Sequence, residues 1–435
     1  MPVTLPQDLL PGQLIARLDD VTLADGATAG IRFVDGRVAG PVITGAAHTT
    51  RLVGRLAEPD EATDVAADID AAGWLLLPPA ADMHAHIDKA YTWSLFGEPE
   101  GSLDDAVACW QQHGAALREE QIAEHARRQL DAALRAGVTA VRTHVNYHEG
   151  GDPLRGLRAV LEARDDYRGL VDVQIVAMHG QLTDDAIIRD AIALGADLIG
   201  AAPHLSDDPR GEIHRAAAFA ESAGIGIDLH TDETLDPQSL DLIDLARRTV
   251  DWPAHMTRSA GHCVSLAVQP PARLAAALDA AAEAHVSIIA NPLTNLYLQG
   301  WDHPRAMPRA LPPLAAILDA GIVLAAGGDN VQDPFNPLGN GDMVDVAVAL
   351  VLAGHLPPRR AWQVVAAGRK VLGLPPATGA IGDAADGVLV RAASVGEALA
   401  ERAPDRIVIR GGRVVATRST HTTAAPLRER SELRI

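Results

Sequence analysis

The stretch VDVQIVAMHGQLTDDAIIRDAIALGADLIGAAPH, residues 171–204, contains the repeating unit on which the fold prediction rests. An apolar, strand-like run ends in His179, an Ala- and Ile-rich helical segment follows, and a second apolar run ends in His204. Apolar strands that alternate with helices in this way are typical of a parallel sheet covered by helices. The segment therefore predicts an α/β protein.

The same unit recurs from Trp74 to about Ala367. Eight apolar runs predict strands at residues 74–86, 139–146, 171–179, 196–204, 224–232, 257–263, 286–294 and 322–330. Helical stretches such as 119–137 and 211–224 lie between them and end in a glycine, which suits a helix C-terminus. Eight strands with helical crossovers favour a closed TIM (β/α)8 barrel. An open doubly wound sheet is the alternative, but no Gly-x-Gly-x-x-Gly or Walker-type loop follows any run.

Both ends of the chain are rich in short β-type runs separated by Gly, Asp and Pro turns. These runs are residues 14–23, 30–39 and 50–57 near the N-terminus and 386–392, 405–412 and 413–418 near the C-terminus. Such runs indicate short antiparallel strands. We therefore predict a small β-sandwich domain assembled from residues 1–73 and 371–435, with residues 74–370 forming the barrel.

Composition narrows the classes of partner. Hydrophobic residues make up 48% and charged residues 22% of the 435, an ordinary globular balance. The formal charge of -20 repels phosphate backbones and anionic membranes, so we expect neither nucleic acid nor a membrane as partner. Cys109 and Cys263 lie too far apart in sequence to indicate a disulfide framework or a thiolate metal site. With no leader-like start and no apolar run near roughly 18 residues, we expect a cytoplasmic protein. Barrel enzymes of this size often associate, which makes a homo-oligomer a further expectation.

Polar side chains collect where the predicted strands end. At or just after the C-terminal ends of these runs stand His84, His86, His144, His179, His204, His230, His262 and Asp329. Histidines scattered at random would not select these positions. The C-terminal end of the strands carries the active site in TIM barrels, so the pattern predicts an active site there.

His84 and His86 are two residues apart on a predicted strand. Their imidazoles therefore point to the same face and can share a cation. Taken alone, the pair is explained equally well by one histidine that caps the strand end and another that is hydrogen-bonded in the core.

Later strand ends supply the remaining groups for such a site. His230 is followed three residues later by Glu233, His262 ends the sixth run, and Asp329 ends the eighth. Imidazoles and a carboxylate can hold a divalent metal with one open position, where a bound water is acidified toward neutral pH. Glu233 is the candidate for moving the proton, and His262 for stabilising charge on an oxygen. The alternatives are a helix-capping Asp232, a surface Glu233 and a core His262.

At these residues the chain resembles the amidohydrolase superfamily. Within it, the resemblance is to the cytosine deaminase group, which includes N-isopropylammelide amidohydrolase-like enzymes. It covers nearly the whole chain and rests on the segments HAHIDKA (84–90), VRTHVN (141–146), ADLIGAAPH (196–204), HTDE (230–233), GHCVSL (261–266), NPLTNLYLQG (291–300), GGDNVQDPFNPLGNGDM (327–343) and VIRGGRVVAT (408–417). Such an ordered series is more specific than any one motif.

The resemblance implies a TIM barrel with a small β-sandwich from both termini and a mononuclear site. Its zinc or iron ion would be held by His84, His86, His230 and Asp329. Glu233 would be the proton shuttle, His262 would position the water, and Asp329 would also take part in catalysis. Lysine is absent from the runs 171–179 and 196–204, which argues against the binuclear type with a carboxylated lysine.

Two departures from the group concern the substrate. Cytosine deaminases carry Pro-Gln after the third strand, where this chain has His179-Gly180-Gln181, so the role of Gln181 stays open. Asn330 follows the predicted ligand Asp329 where cytosine deaminases place a second Asp, which makes cytosine itself a poorer candidate. Lys89, after the His pair, resembles the ammelide-type members, although a surface salt bridge explains it equally well.

Amides near strand ends are candidate substrate contacts, with loop hydrogen bonding as the alternative. They are Asn146, Gln181, Asn295, Gln299 and Asn330. The segment 91–114 offers Trp93 and Phe96 as cover for the site, which predicts either a lid with Trp93 as a substrate contact or a packed rim helix.

The favoured function is hydrolytic deamination of a small nitrogen heterocycle, such as a cytosine-like pyrimidine, a triazine or a related ring. Hydrolysis of a cyclic amide, urea or carbamate is a second possibility, because the same ligand set serves both. A non-catalytic barrel that binds small molecules is a third, against which the complete ligand set and Glu233 argue. The cytidine-type zinc deaminases are excluded, since the chain has no Cys-x-x-Cys.

Overall fold

The computed structural model describes residues 6–42, 66–148 and 150–420. The strand predicted at 50–57 lies outside these residues. In the described ranges, five strands precede the barrel: β1 (Ile15–Leu23), β2 (Thr28–Val34), β3 (Arg37–Val42), β4 (Ala67–Asp70) and β5 (Leu75–Leu77).

Eight further strands form one parallel sheet in sequence order. They are β6 (Ala80–Ala85), β7 (Val138–Asn146), β8 (Asp172–His179), β9 (Leu198–Ala201), β10 (Gly226–Thr231), β11 (Arg258–His262), β12 (Ser287–Ala290) and β13 (Leu324–Ala326). The sheet closes between its first and last strands, because Asp329 N donates to His84 O at 2.7 Å and His86 N donates to Asp329 O at 3.3 Å. The predicted barrel is confirmed, and the alternative of an open doubly wound sheet is wrong.

Strands from both ends of the chain share a second sheet. β14 (Gly387–Val390), β15 (Arg406–Arg410) and β16 (Arg413–Arg418) join the first five in the order β16-β15-β14-β5-β1-β2-β3, with β4 beside β1. Ile15 N donates to Gly412 O and Val414 N to Gln13 O, so the sheet curls back onto its own core. The predicted small β domain from both termini is confirmed, although β4 and β5 pair with β1 in parallel.

The run 74–86 is not the single strand predicted for it. Leu75–Leu77 pairs with β1 and β14 in the terminal sheet, and Ala80–Ala85 is the first barrel strand. Pro78 and Pro79 separate the two strands, since proline has no N–H to donate to a sheet ladder. The sequence signal for this break was present in the two prolines.

Side-chain alternation explains how the two domains pack together. Leu75 and Leu77 face the barrel and belong to its hydrophobic core, whereas Leu76 between them belongs to the core of the terminal sheet. The same alternation places Val388 in the barrel core and Leu389 in the small one. One sheet thus buries both of its faces, as the period of two along a strand requires.

Twelve α-helices form in the described ranges. They are α1 (Leu103–His113), α2 (Glu119–Arg135), α3 (Arg155–Asp166), α4 (Asp185–Leu194), α5 (Pro209–Ala223), α6 (Asp241–Thr249), α7 (Pro271–Glu283), α8 (Pro292–Leu298), α9 (Leu314–Asp319), α10 (Met343–Leu352), α11 (Pro358–Val371) and α12 (Val395–Ala400). In α2, Ala126, Leu130 and Ala133 recur at helical spacing and are buried against the barrel core. Among the helices in these ranges, none is both long and apolar enough to span a membrane.

Candidate active site

Four side chains converge at the C-terminal mouth of the barrel. The Nε2 atom of His230 lies 3.1 Å from the Nε2 atoms of both His84 and His86. Asp329 Oδ1 lies 3.4 Å from His86 Nε2 and 3.9 Å from His84 Nε2. All four side chains are buried. Residues separated by up to 245 positions in sequence therefore present their ligand atoms to one point.

This donor set fits a divalent metal ion. Nitrogen ligands bind zinc at about 2.0–2.1 Å with tetrahedral angles, which places neighbouring ligand atoms about 3.4 Å apart, close to the separations seen here. Burial holds the pKa values of His84, His86 and His230 well below the usual range, so their imidazoles are neutral and offer lone pairs. Asp329 Oδ2 is buried and has no hydrogen-bonding partner within the described residues. A cation would neutralise this carboxylate.

Two more histidines extend the cluster. His84 forms one group of closely spaced donor atoms with His86 and His144, and another with His230 and His262. The His144 ring lies 4.0 Å from the His84 ring, and its Nε2 lies 3.5 Å from Asp228 Oδ1. His144 thus already faces a carboxylate, which leaves His84, His86 and His230 as the imidazoles that face one another.

A buried ion pair supports the cluster from inside the barrel. Arg142 Nη1 donates to Asp228 Oδ2 at 2.6 Å and to Ser259 Oγ at 2.8 Å. Burial would raise the pKa of Asp228, but His144 and Arg142 together lower it, so the carboxylate is ionised. Charged groups buried in this way are stable only when paired and hydrogen-bonded.

Two glycines, Gly261 near the end of β11 and Gly327 just after β13, make room for His84. A Cβ on Gly261 would lie 2.8 Å from His84 Cε1, and one on Gly327 would lie 2.5 Å from His84 Cβ. Both distances are shorter than real Cβ contacts, so only glycine lets β11 and the end of β13 approach this side chain so closely.

Glu233 lies beside the cluster, buried among polar groups. Its Oε1 is 3.3 Å from His262 Nδ1, and its Oε2 is 3.8 Å from His204 Nε2. Burial raises the pKa of Glu233 to about 8, while Lys89 lowers it. The carboxyl group is therefore protonated near neutral pH and can exchange its proton there, as a general acid or base must. A surface position, the alternative weighed for Glu233, is wrong.

The neighbouring Asp232 has a structural role. With φ at 55°, it turns the chain at the end of β10. Its Oδ1 accepts from Asp241 N at 2.7 Å and its Oδ2 from Leu242 N at 3.1 Å, at the start of α6. The helix-capping alternative weighed for this residue is thus what the structure has.

His262 stands at another sharp strand end, with φ at 67°. Asn295 Nδ2 lies 3.0 Å from His262 Nδ1, and burial holds the pKa of His262 well below the usual range. With Asn295 donating to Nδ1, the proton of the neutral ring sits on Nε2, which has no partner within the described residues. His262 lines the cavity and can donate from Nε2 to an oxygen there.

Lys89 lies in the site and not on the surface, so the surface salt bridge is wrong for it. Its Nζ is 3.0 Å from His86 Nδ1 and lies over the rings of Trp110 and Phe335, at 5.4 and 5.2 Å from their centroids. A lysine between two aromatic faces supplies positive charge close to the ligands.

A cavity of about 680 Å³ opens from this cluster toward solvent. At its inner end are His86, His230, Glu233, His262 and Asp329. Its volume lies within the range of ligand-binding pockets, about 300–1,000 Å³. The cluster is therefore accessible to a small molecule.

The predicted substrate contacts divide between the cavity wall and positions behind it. Asn146, Gln181 and Asn330 line the cavity, whereas Asn295, Gln299 and Trp93 do not. Asn295 contacts His262, and Gln299 Nε2 donates to the backbone oxygen of Glu233 at 3.1 Å. Each of these two amides therefore contacts a catalytic candidate and does not line the cavity.

Two of the amides on the wall already have protein partners. Gln181 Oε1 accepts from Ser206 Oγ and from Asp207 N, and Asn330 Nδ2 donates to Asp333 Oδ2 at 2.7 Å. Asn146 differs, since its Oδ1 is buried without a partner in the described part of the chain. It is the best placed of the three to accept from a ligand.

The segment 91–114 does cover the site, but through residues other than those predicted. Leu103, Val107 and Trp110 of α1 line the cavity, whereas Trp93 and Phe96 lie outside its wall. The spacing of Leu103, Val107 and Trp110 is that of one helical face, so periodicity in 103–110 could have revealed it. Phe335, also on the wall, carried no such signal because it lies in a loop.

Comparisons with known proteins agree with the architecture. A family model described as the amidohydrolase family matches residues 96–416. The chain is 30% identical to pterin deaminase of Rhizobium rhizogenes (strain K84 / ATCC BAA-868), over 80% of this chain and 82% of that protein. It is 25% identical to N-isopropylammelide isopropyl amidohydrolase of Pseudomonas sp. (strain ADP), over 80% and 87% of the two chains.

A solved structure shows the same fold. The 5-methylcytosine deaminase of Klebsiella pneumoniae superposes with a TM-score of 0.81 and 25% identity, covering 94% of this chain and all of that one. Both the resemblance inferred from sequence and the fold are thereby confirmed. The chain belongs to the amidohydrolase family and is a hydrolase of carbon–nitrogen bonds other than peptide bonds.

Proposed function

We propose that the protein is a mononuclear, metal-dependent hydrolytic deaminase or aminohydrolase that acts on a small nitrogen heterocycle. The observation that carries this proposal is the arrangement of Glu233, whose pKa is about 8, beside three neutral imidazoles and one carboxylate at the end of one cavity. Such a site needs both a means of activating water and an acid that can protonate a leaving nitrogen.

We assign the metal to His84, His86, His230 and Asp329, and propose one divalent ion, zinc or iron. Both metals accept imidazole and carboxylate ligands. A bound ion would supply water acidified toward neutral pH.

The proton transfers belong to the chain's own residues. With a cation bound beside it, Glu233 would be ionised near neutral pH, so its carboxylate oxygen can take a proton from water and return it to the leaving nitrogen. His262 donates from Nε2 to the oxygen that develops charge. We also propose that Asp329 takes part in catalysis, because its Oδ2 has no partner among the described residues and can accept a hydrogen bond from water.

Several observations support a heterocyclic substrate. The three relatives compared above are named for a pterin, an ammelide and a methylated cytosine. The cavity wall offers flat aromatic faces at Trp110 and Phe335 together with the amides of Asn146, Gln181 and Asn330. Flat rings with several nitrogen and oxygen atoms match such a wall. Trp93, outside the wall, would reach substrate only if α1 and its preceding loop move.

The test is a screen for released ammonia or amine. The zinc-loaded and the iron-loaded protein are each incubated with pyrimidines, triazines, pterins, purines and creatinine-like rings, with Glu233→Gln as the inactive control. We expect release from one class of ring and none from the variant.

Two results would overturn the proposal. Loss of substrate by ring opening without any amine would identify a cyclic amide, urea or carbamate hydrolase. No turnover at all, with ligand affinity unchanged in Glu233→Gln, would identify a non-catalytic binding barrel.

A further inference from the structure

The cavity is larger than one heterocyclic ring. Even at about 30 Å³ for each non-hydrogen atom, the volume share of a water molecule in the liquid, a ring with about eight such atoms fills roughly 240 Å³. This is about a third of the 680 Å³ cavity. The rest of the cavity extends away from the histidine cluster, along the ends of β7 and β8 and the start of α5.

A buried imidazole–carboxylate pair lies in this outer part. His179 Nδ1 is 2.8 Å from Glu212 Oε1, and the two residues are 1% and 6% exposed. The imidazole and the carboxylate are close without forming an aligned hydrogen bond, and His179 Nε2 has no partner in the described ranges either. Burying two such groups with unsatisfied atoms is costly for folding alone. Neither residue has a role in the proton transfers described above.

Two more unpartnered polar atoms belong to side chains that line the same cavity. Tyr147 Oη and Asn146 Oδ1 are both buried and without hydrogen-bonding partners among the described residues, and both side chains line the cavity. Burial raises the pKa of Tyr147 well above its usual value, so its hydroxyl keeps the proton and can donate. Buried polar atoms without partners are rare in native proteins, and four such side chains in one part of a cavity indicate a bound ligand.

The wall beside these groups is also open. A Cβ on Gly180 would meet no atom within 4 Å, so this position leaves the space next to His179 free. Arg215 donates to the backbone oxygens of Gly180 and Gln181 and lies 3.9 Å from Glu212 Oε2. The loop after β8 is therefore fixed by α5 in a position that leaves room beside the pair.

We infer that Tyr147, His179 and Glu212 form a second subsite, which binds a polar second ring or polar side arm of the substrate while the reacting ring lies at the histidine cluster. Tyr147 donates to this group and His179 hydrogen-bonds to it. Glu212 is a positioning residue that orients the His179 ring. The inference rests on the proposed function, because it assumes that the same cavity binds the heterocycle.

Two probes separate the subsites. Pterin and isocytosine carry the same amino-pyrimidinone ring, and only pterin has a fused second ring. Steady-state kinetics of ammonia release are measured for both with the metal-loaded wild type, Tyr147→Phe, His179→Gln and Glu212→Gln. His214→Ala is the control, since His214 is exposed on the same helix as Glu212.

For pterin, we expect His179→Gln and Tyr147→Phe each to lower kcat/KM about tenfold, mainly through KM, as for a lost hydrogen bond to a substrate. For isocytosine, the same variants should leave kcat/KM within about twofold of wild type. Glu212→Gln should raise KM for pterin while leaving kcat for pterin and both constants for isocytosine within about twofold of wild type. A merely structural role would change both substrates alike.

Equal losses for the two probes, or no loss for pterin, would overturn the subsite. If no ring releases ammonia, the proposed function fails. Calorimetric binding of pterin to the same proteins then tests the subsite by itself. Affinity weakened about tenfold by His179→Gln but not by His214→Ala supports the subsite. No measurable binding, or binding unaffected by His179→Gln, rejects it.

Discussion

At the residue scale, Glu233 shows how the environment of a carboxyl group sets its pKa and thereby its chemical role. It follows Asp232 in the chain, and both carboxylates are buried. Asp232 accepts hydrogen bonds from backbone N–H groups of α6, whereas the oxygens of Glu233 lie 3.3 and 3.8 Å from the imidazoles of His262 and His204. Desolvation therefore raises the pKa of Glu233 to about 8 and leaves it a proton to exchange.

Replacing Glu233 by glutamine should abolish proton transfer and keep the metal. The amide has nearly the same shape but cannot take up a proton, and Glu233 is not among the four converging ligand atoms. We expect kcat to fall by about 10²–10⁴-fold, with the metal content unchanged. Ammonia release and elemental analysis of the same preparation measure both. A variant that turns over at the wild-type rate would contradict the assignment.

The same residue predicts how the stability of the metal-free protein depends on pH. Because the pKa of Glu233 is raised from 4.5 to about 8 on folding, the folded state binds the extra proton between these values. This contribution to stability is full below about pH 4.5 and is lost as the pH rises through about 8. The difference in urea midpoint between wild type and Glu233→Gln should therefore shift in favour of the variant from pH 5 to pH 8.5. A difference independent of pH would show that Glu233 titrates normally.

At the element scale, α1 is fixed at both ends although it lies over the cavity. Ser102 and Asp105 form a capping box at its start, with Ser102 N donating to Asp105 Oδ2 at 2.8 Å. Past its end, Arg155 donates to the backbone oxygens of Gly114, Ala115 and Leu117. The position of α1, and with it the part of the cavity wall formed by Trp110, therefore depends on the hydrogen bonds that the Arg155 guanidinium group donates.

Removing this guanidinium should loosen α1. Arg155→Met keeps the apolar stem but removes the donor to the carbonyl oxygens of Ala115 and Leu117, so we expect a loss of about 2–4 kcal/mol in the free energy of unfolding. KM should rise because Trp110 is less well held, while the metal content stays the same. Urea unfolding and steady-state kinetics measure these effects. The matched control is Arg168→Met, whose side chain is 81% exposed, and it should change stability by less than about 0.5 kcal/mol. Equal effects of the two substitutions would refute this role.

At the scale of the whole molecule, the candidate metal site coincides with the closure of the barrel. His84 and His86 belong to the first barrel strand and its end, and Asp329 follows the last. The backbone joins the two strands through few hydrogen bonds, between Asp329 and His84 and between His86 and Asp329. A metal ion bound by His84 and His86 on one side and by Asp329 on the other would strengthen this junction between the first and last barrel strands, which we call the seam.

Removal of the metal should therefore weaken the closure as well as abolish activity. We expect chelation to lower the Tm, since an ion bound only to the folded state stabilises it by mass action. Amide hydrogen exchange should accelerate at His86 and Asp329 but not at Ile409 in the small domain. Adding zinc or iron should restore both properties. An unchanged Tm and unchanged exchange after complete chelation would argue against a metal at the seam.

The barrel, the terminal β domain and the strand ends that carry the candidate ligands could all be predicted from the amino-acid sequence. These features follow from local periodicity, because a strand or helix buries one face at a fixed spacing. Parallel strands then bring their C-terminal ends together, so His84, His230 and Asp329 could be grouped without a structure.

Which groups contact each other near the site could be learned from the folded structure but not from the sequence. The pKa of Glu233, the position of Asn295 behind His262, the use of Trp110 in place of Trp93, and the His179–Glu212 pair all depend on distances between residues far apart in the chain. Desolvation and side-chain contact act over a few ångströms in space, and local sequence patterns do not record which distant residues will come that close.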